Sequence, residues 1–217
     1  MITGLIGNVR AGNYVAIPMV FTALAICGLA IATKHYQVQY MLRDATPDRI
    51  IEHYHHGSRR LPQGKAAAAY LSGLAATFFG QFDRAREELQ KVDWSQASAM
   101  YRGHRLYVLA LLAVLEETDY AKAIRLADEA LELEKQERAG GLQVLDDVVR
   151  LVAGPGEPAE ELMKRVDFTA RKRRGLMPGM CAWALGVHYK RRNEPEKSEE
   201  YKELLRMSVP QSIVMRA

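Results

Sequence analysis

Cysteine is scarce in this chain of 217 residues, which contains only Cys27 and Cys181. The first lies in an apolar segment and the second in the distant main domain, so we expect no disulfide between them and no paired-cysteine metal site. Short patterns of known catalytic chemistry, such as GxSxG, HExxH and the phosphate-binding GxxxxGKS/T, are missing too. We therefore expect no catalytic activity, no metal and no cofactor.

A strong excess of either charge is also missing. The 30 lysines and arginines stand against 26 aspartates and glutamates, which gives a formal net charge of +4 and a pI near 9.0. This mild excess is compatible with an acidic partner or an anionic lipid surface, whereas nucleic-acid binding usually needs a denser basic surface. Apolar residues at 48% and charged residues at 26% are typical of a chain with a buried core.

One segment lacks ionisable side chains entirely. Residues 11–33, AGNYVAIPMVFTALAICGLAIAT, lie between Arg10 and Lys34, and a helix of about 20 apolar residues is long enough to cross a bilayer. The pattern predicts a single transmembrane helix that follows a short tail at residues 1–10. The small-x-small sequence that ends at Ala32 is also compatible with a cleaved signal peptide, and this alternative stays open.

Positive charge near the ends of this segment indicates its orientation. Arg10 stands alone on the N-terminal side, whereas Lys34, Arg43 and Arg49 follow the segment. Because lysine and arginine favour the cytoplasmic side of a membrane, we expect a single-pass membrane protein whose main domain lies in the cytoplasm. The opposite orientation is the alternative.

The rest of the chain has helical patterns broken by glycine and proline, without the alternating β-branched runs of strands. The expected fold class is all-α. We expect a helical connector at residues 34–60, a domain of about four helical hairpins at residues 61–210, and a tail at residues 211–217. Within the connector, a helix is predicted to begin at Pro47 and to stop at Gly57.

The stretch FFGQFDRAREEL shows how one hairpin is expected to turn. Gly80 should take the left-handed conformation that ends a helix, and the small residues Gly73 and Ala85 allow two helices to cross closely. The layout returns with Ala123 in EETDYAKAIRLA and with Gly186 in AWALGVHYKRRNEPEKSEEYK. These residues are the predicted packing positions of a repeated unit.

This unit resembles the tetratricopeptide repeat (TPR), a helix-turn-helix unit of about 34 residues that stacks into a right-handed solenoid. Two positions depart from the family pattern. Thr118 stands where glycine is preferred, so we expect a tighter or differently shaped turn, and Ser198 stands where alanine is usual. Asn193 occupies a third turn and tolerates the left-handed conformation. The resemblance implies an α-solenoid of about four hairpins.

The resemblance also implies binding of a protein partner. One binding mode of the family clamps the carboxylate of an acidic peptide with lysines and asparagines on the inner helices, but this chain has Tyr70 and Leu74 at the corresponding positions of its first repeat. An apolar or aromatic groove for a helix or an extended peptide is therefore expected instead. Its predicted lining residues are Tyr70, Leu74, Tyr107 and Leu111.

Two polar stretches suggest other functions. The densest positive run comprises Arg171, Lys172, Arg173 and Arg174. It could contact an anionic lipid surface, although a solvated helix end is the plainer interpretation, and nucleic acid is not favoured because no aromatics interleave with the cations. His53 and His56 lie one helical turn apart, as metal ligands can, but no further ligands follow at regular spacing.

Together these patterns predict a membrane-anchored adaptor, or an accessory assembly subunit of a membrane complex, that binds a protein partner through its helical repeats. The alternative is a module that binds an anionic lipid surface or nucleic acid through the basic run. A metal-dependent function at His53 and His56 is the least favoured hypothesis.

Overall fold

The computed structural model describes residues 46–137, 143–172, 175–210 and 212, all of them within one compact unit. Over these ranges the chain forms nine α-helices, one 3-10 turn at Trp94–Gln96 and no strand, which confirms the all-α fold. The helices are α1 (Pro47–Ser58), α2 (Gly64–Phe78), α3 (Phe82–Gln90), α4 (Ala99–Leu115), α5 (Tyr120–Glu137), α6 (Gln143–Ala153), α7 (Glu160–Ala170), α8 (Leu176–Arg191) and α9 (Pro195–Ser208).

Across the described ranges, no helix is long and apolar enough to cross a membrane. This finding overturns the predicted fold class with a transmembrane helix and the predicted single-pass membrane localisation. The segment on which they were based, residues 11–33, lies outside the described residues, as do residues 34–45 of the connector. Among the described helices, α5 is charged along its length, and the uncharged half of α4 is largely buried against other helices.

Consecutive helices pair into hairpins. α2 packs on α3, α4 on α5, α6 on α7 and α8 on α9, while α1 packs on α2. The first helices of successive hairpins also pack on one another, so that α4 contacts both α2 and α6, and α6 contacts α8. The core lies along these first helices, where Leu74, Tyr107, Leu111 and Leu185 are almost fully buried. The four hairpins agree with the number predicted from the sequence.

Three of the hairpin turns share one backbone feature. Gly80, Thr118 and Asn193 all have a positive φ, at 77°, 54° and 58° respectively, and the second helix of the hairpin begins two residues later in each case. After Gly80 and Asn193, the next N–H donates to the carbonyl five positions earlier, at 2.9 Å and 3.0 Å, which closes a Schellman-type helix end. The predictions for these two turns are confirmed.

The turn at Thr118 differs in one respect. The N–H that follows Thr118 donates to a carbonyl six positions earlier, that of Ala113, at 2.9 Å. The turn is therefore wider than the other two by one residue, so the expectation of a different shape is right and that of a tighter turn is wrong. A β-branched residue in the left-handed region is strained, and this chain accepts that strain to keep the hairpin geometry.

The predicted packing residues lie where hairpin helices meet closely. A Cβ atom on Gly73 would lie 3.3 Å from Leu89 Cδ2 and 3.5 Å from the carbonyl oxygen of Ala85, so α2 and α3 approach to near contact of their backbones. Ala85 and Ala123 each occur five residues after a left-handed turn residue, and both are completely buried. A larger side chain at either position would push the two helices apart.

Ser198 stands at the same position of the fourth hairpin, five residues after Asn193. Its side chain is buried, and its hydroxyl donates a 3.0 Å hydrogen bond to the carbonyl of Gly186 on the facing helix. Buried hydroxyl groups are costly when they have no partner. The serine is therefore accommodated because the close approach of α8 and α9 supplies an acceptor.

The first and fourth hairpins touch each other. Phe78, at the end of α2, lies edge-on to Trp183 of α8, and their ring centroids are 6.3 Å apart. In a solenoid each repeat contacts only its neighbours, so this single aromatic contact departs from the predicted α-solenoid. The main helix packing of the described bundle runs between helices of the same hairpin or of successive hairpins.

Cys181 lies inside this bundle, on α8. It is a free cysteine with no exposed surface. Burial raises the pKa of its thiol to about 12, and the negative charge of Asp147 adds to the effect. The side chain therefore stays a protonated thiol in the folded protein at neutral pH.

Candidate functional site

A cavity of about 590 Å³ opens between the end of α1, the beginning of α2 and the end of α3. We call it the α1–α3 pocket. Its lining residues are His55, Arg59, Gly64, Lys65, Ala68, Ala69, Glu88, Lys91 and Val92. A neighbouring depression of about 390 Å³ shares four of these residues, so the opening extends along the beginning of α2.

The tight connection between α1 and α2 shapes this pocket. A Cβ atom on Gly64 would lie 2.1 Å from the carbonyl oxygen of Arg59, a distance that only glycine permits. Gln63, immediately before it, has a φ of 52°. This compact backbone turn brings Arg59 at the end of one helix close to Lys65 at the start of the next.

Glu88 lies at the inner side of the pocket and is almost fully buried. Its carboxylate accepts a 2.6 Å hydrogen bond from Lys91 Nζ and a 3.2 Å hydrogen bond from Ser72 Oγ. Burial by itself raises the pKa of this carboxyl, but the ammonium of Lys91 and the other donors outweigh burial, so the net pKa is lowered. Glu88 is therefore a charged group held inside the protein.

His55 connects Glu88 to Arg59. His55 Nδ1 lies 3.2 Å from Glu88 Oε2, and Arg59 Nη2 lies 2.9 Å from His55 Nε2. A guanidinium can only donate, so Nε2 must accept and the ring proton must sit on Nδ1, where it is donated to Glu88. The hydrogen bonds thus run in one direction, from Arg59 through His55 to the carboxylate.

The positive charges of the pocket outnumber the negative ones. Arg59, Lys65 and Lys91 line it and are exposed, whereas Glu88 is its single lining carboxylate and is already paired. Within the described ranges, no carboxylate pairs with Lys65 or Arg59. The floor is formed by the small side chains of Ala68 and Ala69. An arrangement of this kind can bind an anionic group over a small apolar floor.

The same residues do not form a nucleophile that a substrate could reach. The hydroxyl of Ser72 is completely buried and has a single proton, which it shares between the Ala68 carbonyl and Glu88. A nucleophilic serine needs a neighbouring base that takes its proton and an open face toward the substrate. The geometry of the α1–α3 pocket therefore suits binding rather than covalent chemistry.

The four predicted groove residues occupy the core instead of a surface. Tyr70, Leu74, Tyr107 and Leu111 are each less than 8% exposed. Tyr70 packs on the ring of His104, with centroids 4.2 Å apart. The prediction of a partner groove at these residues is wrong, because the residues are buried and a partner at the surface would not reach them.

The predicted basic surface is partly neutralised. Arg171 Nε lies 2.7 Å from a carboxylate oxygen of Asp167, and Arg171 Nη2 lies 2.8 Å from one of Glu200. The ammonium of Lys172 sits 4.6 Å from the ring centroid of Phe168, a cation–π contact. The other two members of the run, Arg173 and Arg174, lie outside the described residues.

His53 and His56 are both exposed on α1. His53 contacts the ring of Tyr54 edge-on, and His56 contacts that of His55. In the part of the chain that the structure describes, no group of three or more histidine, cysteine, aspartate or glutamate side chains is placed to hold a metal.

A signal for Glu88 is present in the sequence. Ala85 and Leu89 are the buried apolar residues of α3, and Glu88 is the third buried residue of that helix. A carboxylate on the buried face of a helix needs partners. The partner His55, 33 positions away, could not be identified from the sequence.

Comparison of the chain with protein-family models, with curated proteins and with solved structures found no match. The geometry of the described residues is therefore the basis of the functional argument.

Proposed function

We propose that this chain is a helical-hairpin adaptor that binds a protein partner, and that the α1–α3 pocket holds an acidic side chain or a carboxyl end of that partner. The observation that carries the proposal is the excess of cations at this pocket. Lys91 pairs with Glu88, and Arg59 and Lys65, which pair with no carboxylate of the described residues, leave an excess of positive charge beside the small apolar floor.

The dimensions of the pocket support binding of a side chain. Its volume of about 590 Å³ lies within the range of roughly 300 to 1,000 Å³ that is typical of ligand sites. Ala68 and Ala69 leave space above the floor, and the exposed ammonium of Lys65 stands at the start of α2, where the helix dipole also favours an anion. An acidic group would thus meet several favourable charges at once.

The pocket is also organised before a ligand binds. The hydrogen bonds from Arg59 to His55 and from His55 to Glu88 fix the orientation of the first two side chains. Side chains that are already ordered lose less conformational entropy on binding. The resemblance of the hairpins to the TPR unit agrees with a protein-binding role, since repeats of this kind serve mainly as binding scaffolds.

The test uses peptides selected for binding to the immobilised full-length chain from a library of random short peptides. Charge reversal of the pocket in an Arg59→Glu and Lys65→Glu variant is compared with an Arg125→Glu and Lys190→Glu variant, which makes the same change in net charge on exposed parts of α5 and α8. Affinities are measured by fluorescence anisotropy, and circular dichroism checks the folding of both variants.

We expect the selected peptides to be rich in aspartate and glutamate, and the pocket variant to bind them about tenfold or more weakly. The control variant should retain most of the affinity, and binding should weaken as salt is added. Selection of uncharged peptides, or equal losses in the two variants, would reject the pocket as the site of partner binding.

A further inference from the structure

A second cavity also lies beside α3 and shares one lining residue, Val92, with the α1–α3 pocket. Its volume is about 420 Å³, and it is enclosed by α3, the 3-10 turn, α4 and α5. Its walls are mainly apolar: Trp94 and Leu112 are buried, and Leu109 and Leu126 are half-buried. We call it the α3–α5 pocket. A volume of this size is sufficient for a small organic molecule.

Arg105 of α4 lines this pocket and is incompletely satisfied. Its Nε atom is buried, and none of the described residues accepts a hydrogen bond from it. Its guanidinium carbon lies 5.7 Å from the ring centroid of Trp94, a contact that holds the charged group over the aromatic wall. Buried polar atoms without partners are rare in folded proteins, so this guanidinium is suited to an acceptor supplied by a ligand.

The aromatic wall beneath Arg105 is fixed. Trp94 Nε1 donates a 2.6 Å hydrogen bond to the carbonyl of Leu89, and its side chain is buried. The indole therefore cannot turn its polar N–H toward a ligand in the pocket, and it offers an apolar surface instead.

The charges at the rim favour an anion. Arg86, Arg105 and Lys122 line the pocket, and Glu117 is the carboxylate among its lining residues. Glu117 is compensated, because its oxygen atoms lie 2.7 Å from Lys122 Nζ and 3.6 Å from Arg86 Nη2. The positive charge that is left over is concentrated at Arg105, at one end of an apolar cavity.

We propose that the α3–α5 pocket binds an apolar monocarboxylic acid. The carboxylate pairs with the guanidinium of Arg105, because the planar guanidinium matches the geometry of a carboxylate acceptor. The hydrocarbon part lies against Trp94, Leu109 and Leu126. This site involves a small molecule and a different pocket, so it stands or falls independently of the proposed binding of a protein partner.

The test uses octanoate as the probe and octan-1-ol as its uncharged counterpart. Binding is followed by tryptophan fluorescence in a full-length Trp183→Phe chain, in which Trp94 is the single tryptophan. We expect a saturable change in Trp94 emission with octanoate, and an affinity for octan-1-ol about tenfold or more weaker, because the alcohol cannot form the charged pair.

Two variants locate the carboxylate. Arg105→Gln should weaken octanoate binding about tenfold or more while leaving octan-1-ol unaffected, and Arg125→Gln, an exposed arginine of α5, should leave both unchanged. Leu126→Glu places a like charge against the ligand and should also weaken octanoate binding, which keeps the test valid if Arg105→Gln does not fold. The proposal would be overturned if octanoate and octan-1-ol bound equally well, or if octanoate binding were not saturable. It would also be overturned if folded Arg105→Gln and Leu126→Glu chains bound octanoate as well as the unchanged pocket does.

Discussion

The first and third hairpins hold their two helices together by different means. In the first, α2 and α3 approach closely because Gly73 faces the Ala85 backbone and the Leu89 side chain. In the third, α6 and α7 are linked by a bidentate ion pair in which Arg165 Nε and Nη2 lie 2.8 Å and 2.9 Å from the two oxygens of Asp147. In a close crossing, many contacts share the stabilisation of the helix pair, whereas in an ion pair two side chains provide it.

The buried acids of the two hairpins differ in the same way. Glu88 of the first hairpin faces a pocket, and its pKa is lowered because the ammonium of Lys91 and the other donors outweigh burial. Asp146 of the third hairpin is enclosed, and its pKa is raised because burial outweighs the hydrogen bonds from Arg150 and Tyr107. Two carboxylates that are buried to a similar degree thus have pKa values shifted in opposite directions by their different partners.

Removal of the ion pair should have the largest effect. Asp147→Ala leaves the charge of Arg165 without its buried partner, but Arg165 is 38% exposed and can be rehydrated. We therefore expect a loss of about 2 to 3 kcal/mol in the free energy of unfolding, measured by urea denaturation. Lys164→Ala, which removes exposed pairs with Glu160 and Glu161, should cost no more than about 0.5 kcal/mol. Equal losses would show that the third hairpin does not depend on its ion pair.

A larger side chain where α2 and α3 cross should have the next largest effect. Ala85→Val adds two methyl groups where Ala85 is completely buried, and we expect a loss of about 1 to 3 kcal/mol from overpacking. Ala121→Val makes the same chemical change at an exposed position of α5. It should cost only the difference in helix propensity, about 0.5 kcal/mol. Thermal and urea denaturation of both variants provide the comparison, and similar values for the two would contradict a tight crossing.

Acid should affect the two buried carboxyls in opposite directions. The pKa of Glu88 is lowered from 4.5, so its stabilisation is complete above that pH and is lost as the pH falls through the lowered value. The pKa of Asp146 is raised from 3.8, so its contribution is complete below that pH and is lost as the pH rises through the raised value. Urea midpoints measured from about pH 3 to about pH 6 should therefore fall less steeply on acidification in Glu88→Gln, and more steeply in Asp146→Asn, than in the wild type. Parallel curves would contradict this assignment.

Relief of the strained turn should have the smallest effect. Thr118→Gly removes the clash of a β-branched side chain at φ 54°, although glycine is more flexible in the unfolded chain, so we expect a gain of about 0.5 kcal/mol. Thr118→Ala keeps a Cβ atom at the same φ and should give no comparable gain. If the alanine variant were as stable as the glycine variant, strain at this turn would not be the cause.

The hairpins could be predicted from the sequence because each depends on local chemistry. Gly80 and Asn193 tolerate the left-handed conformation by themselves, and small residues five positions later identify the close approach of two helices. The helix that begins at Pro47 ends within one residue of its predicted end at Gly57. These features require only residues that are neighbours in the chain.

The two candidate pockets could not be predicted because they depend on contacts between distant residues. The α1–α3 pocket needs His55 and Glu88 to meet across two helices, and the α3–α5 pocket needs Trp94 beside Arg105. The groove prediction at Tyr70 and Tyr107 depends on the TPR resemblance, which does not distinguish a side chain that packs in the core from one that faces a groove. The contact of Phe78 with Trp183 likewise joins hairpins far apart in the sequence.

The buried thiol of Cys181 can report on transient opening of the bundle. A thiol with no exposed surface and a pKa of about 12 reacts with an alkylating reagent only while α8 is transiently separated from its neighbours. In a Cys27→Ser chain Cys181 is the single thiol, so its rate of labelling, divided by that of an unfolded control, gives the equilibrium for this local opening. Comparison of this equilibrium with that of global unfolding shows whether the fourth hairpin opens by itself, without an added probe.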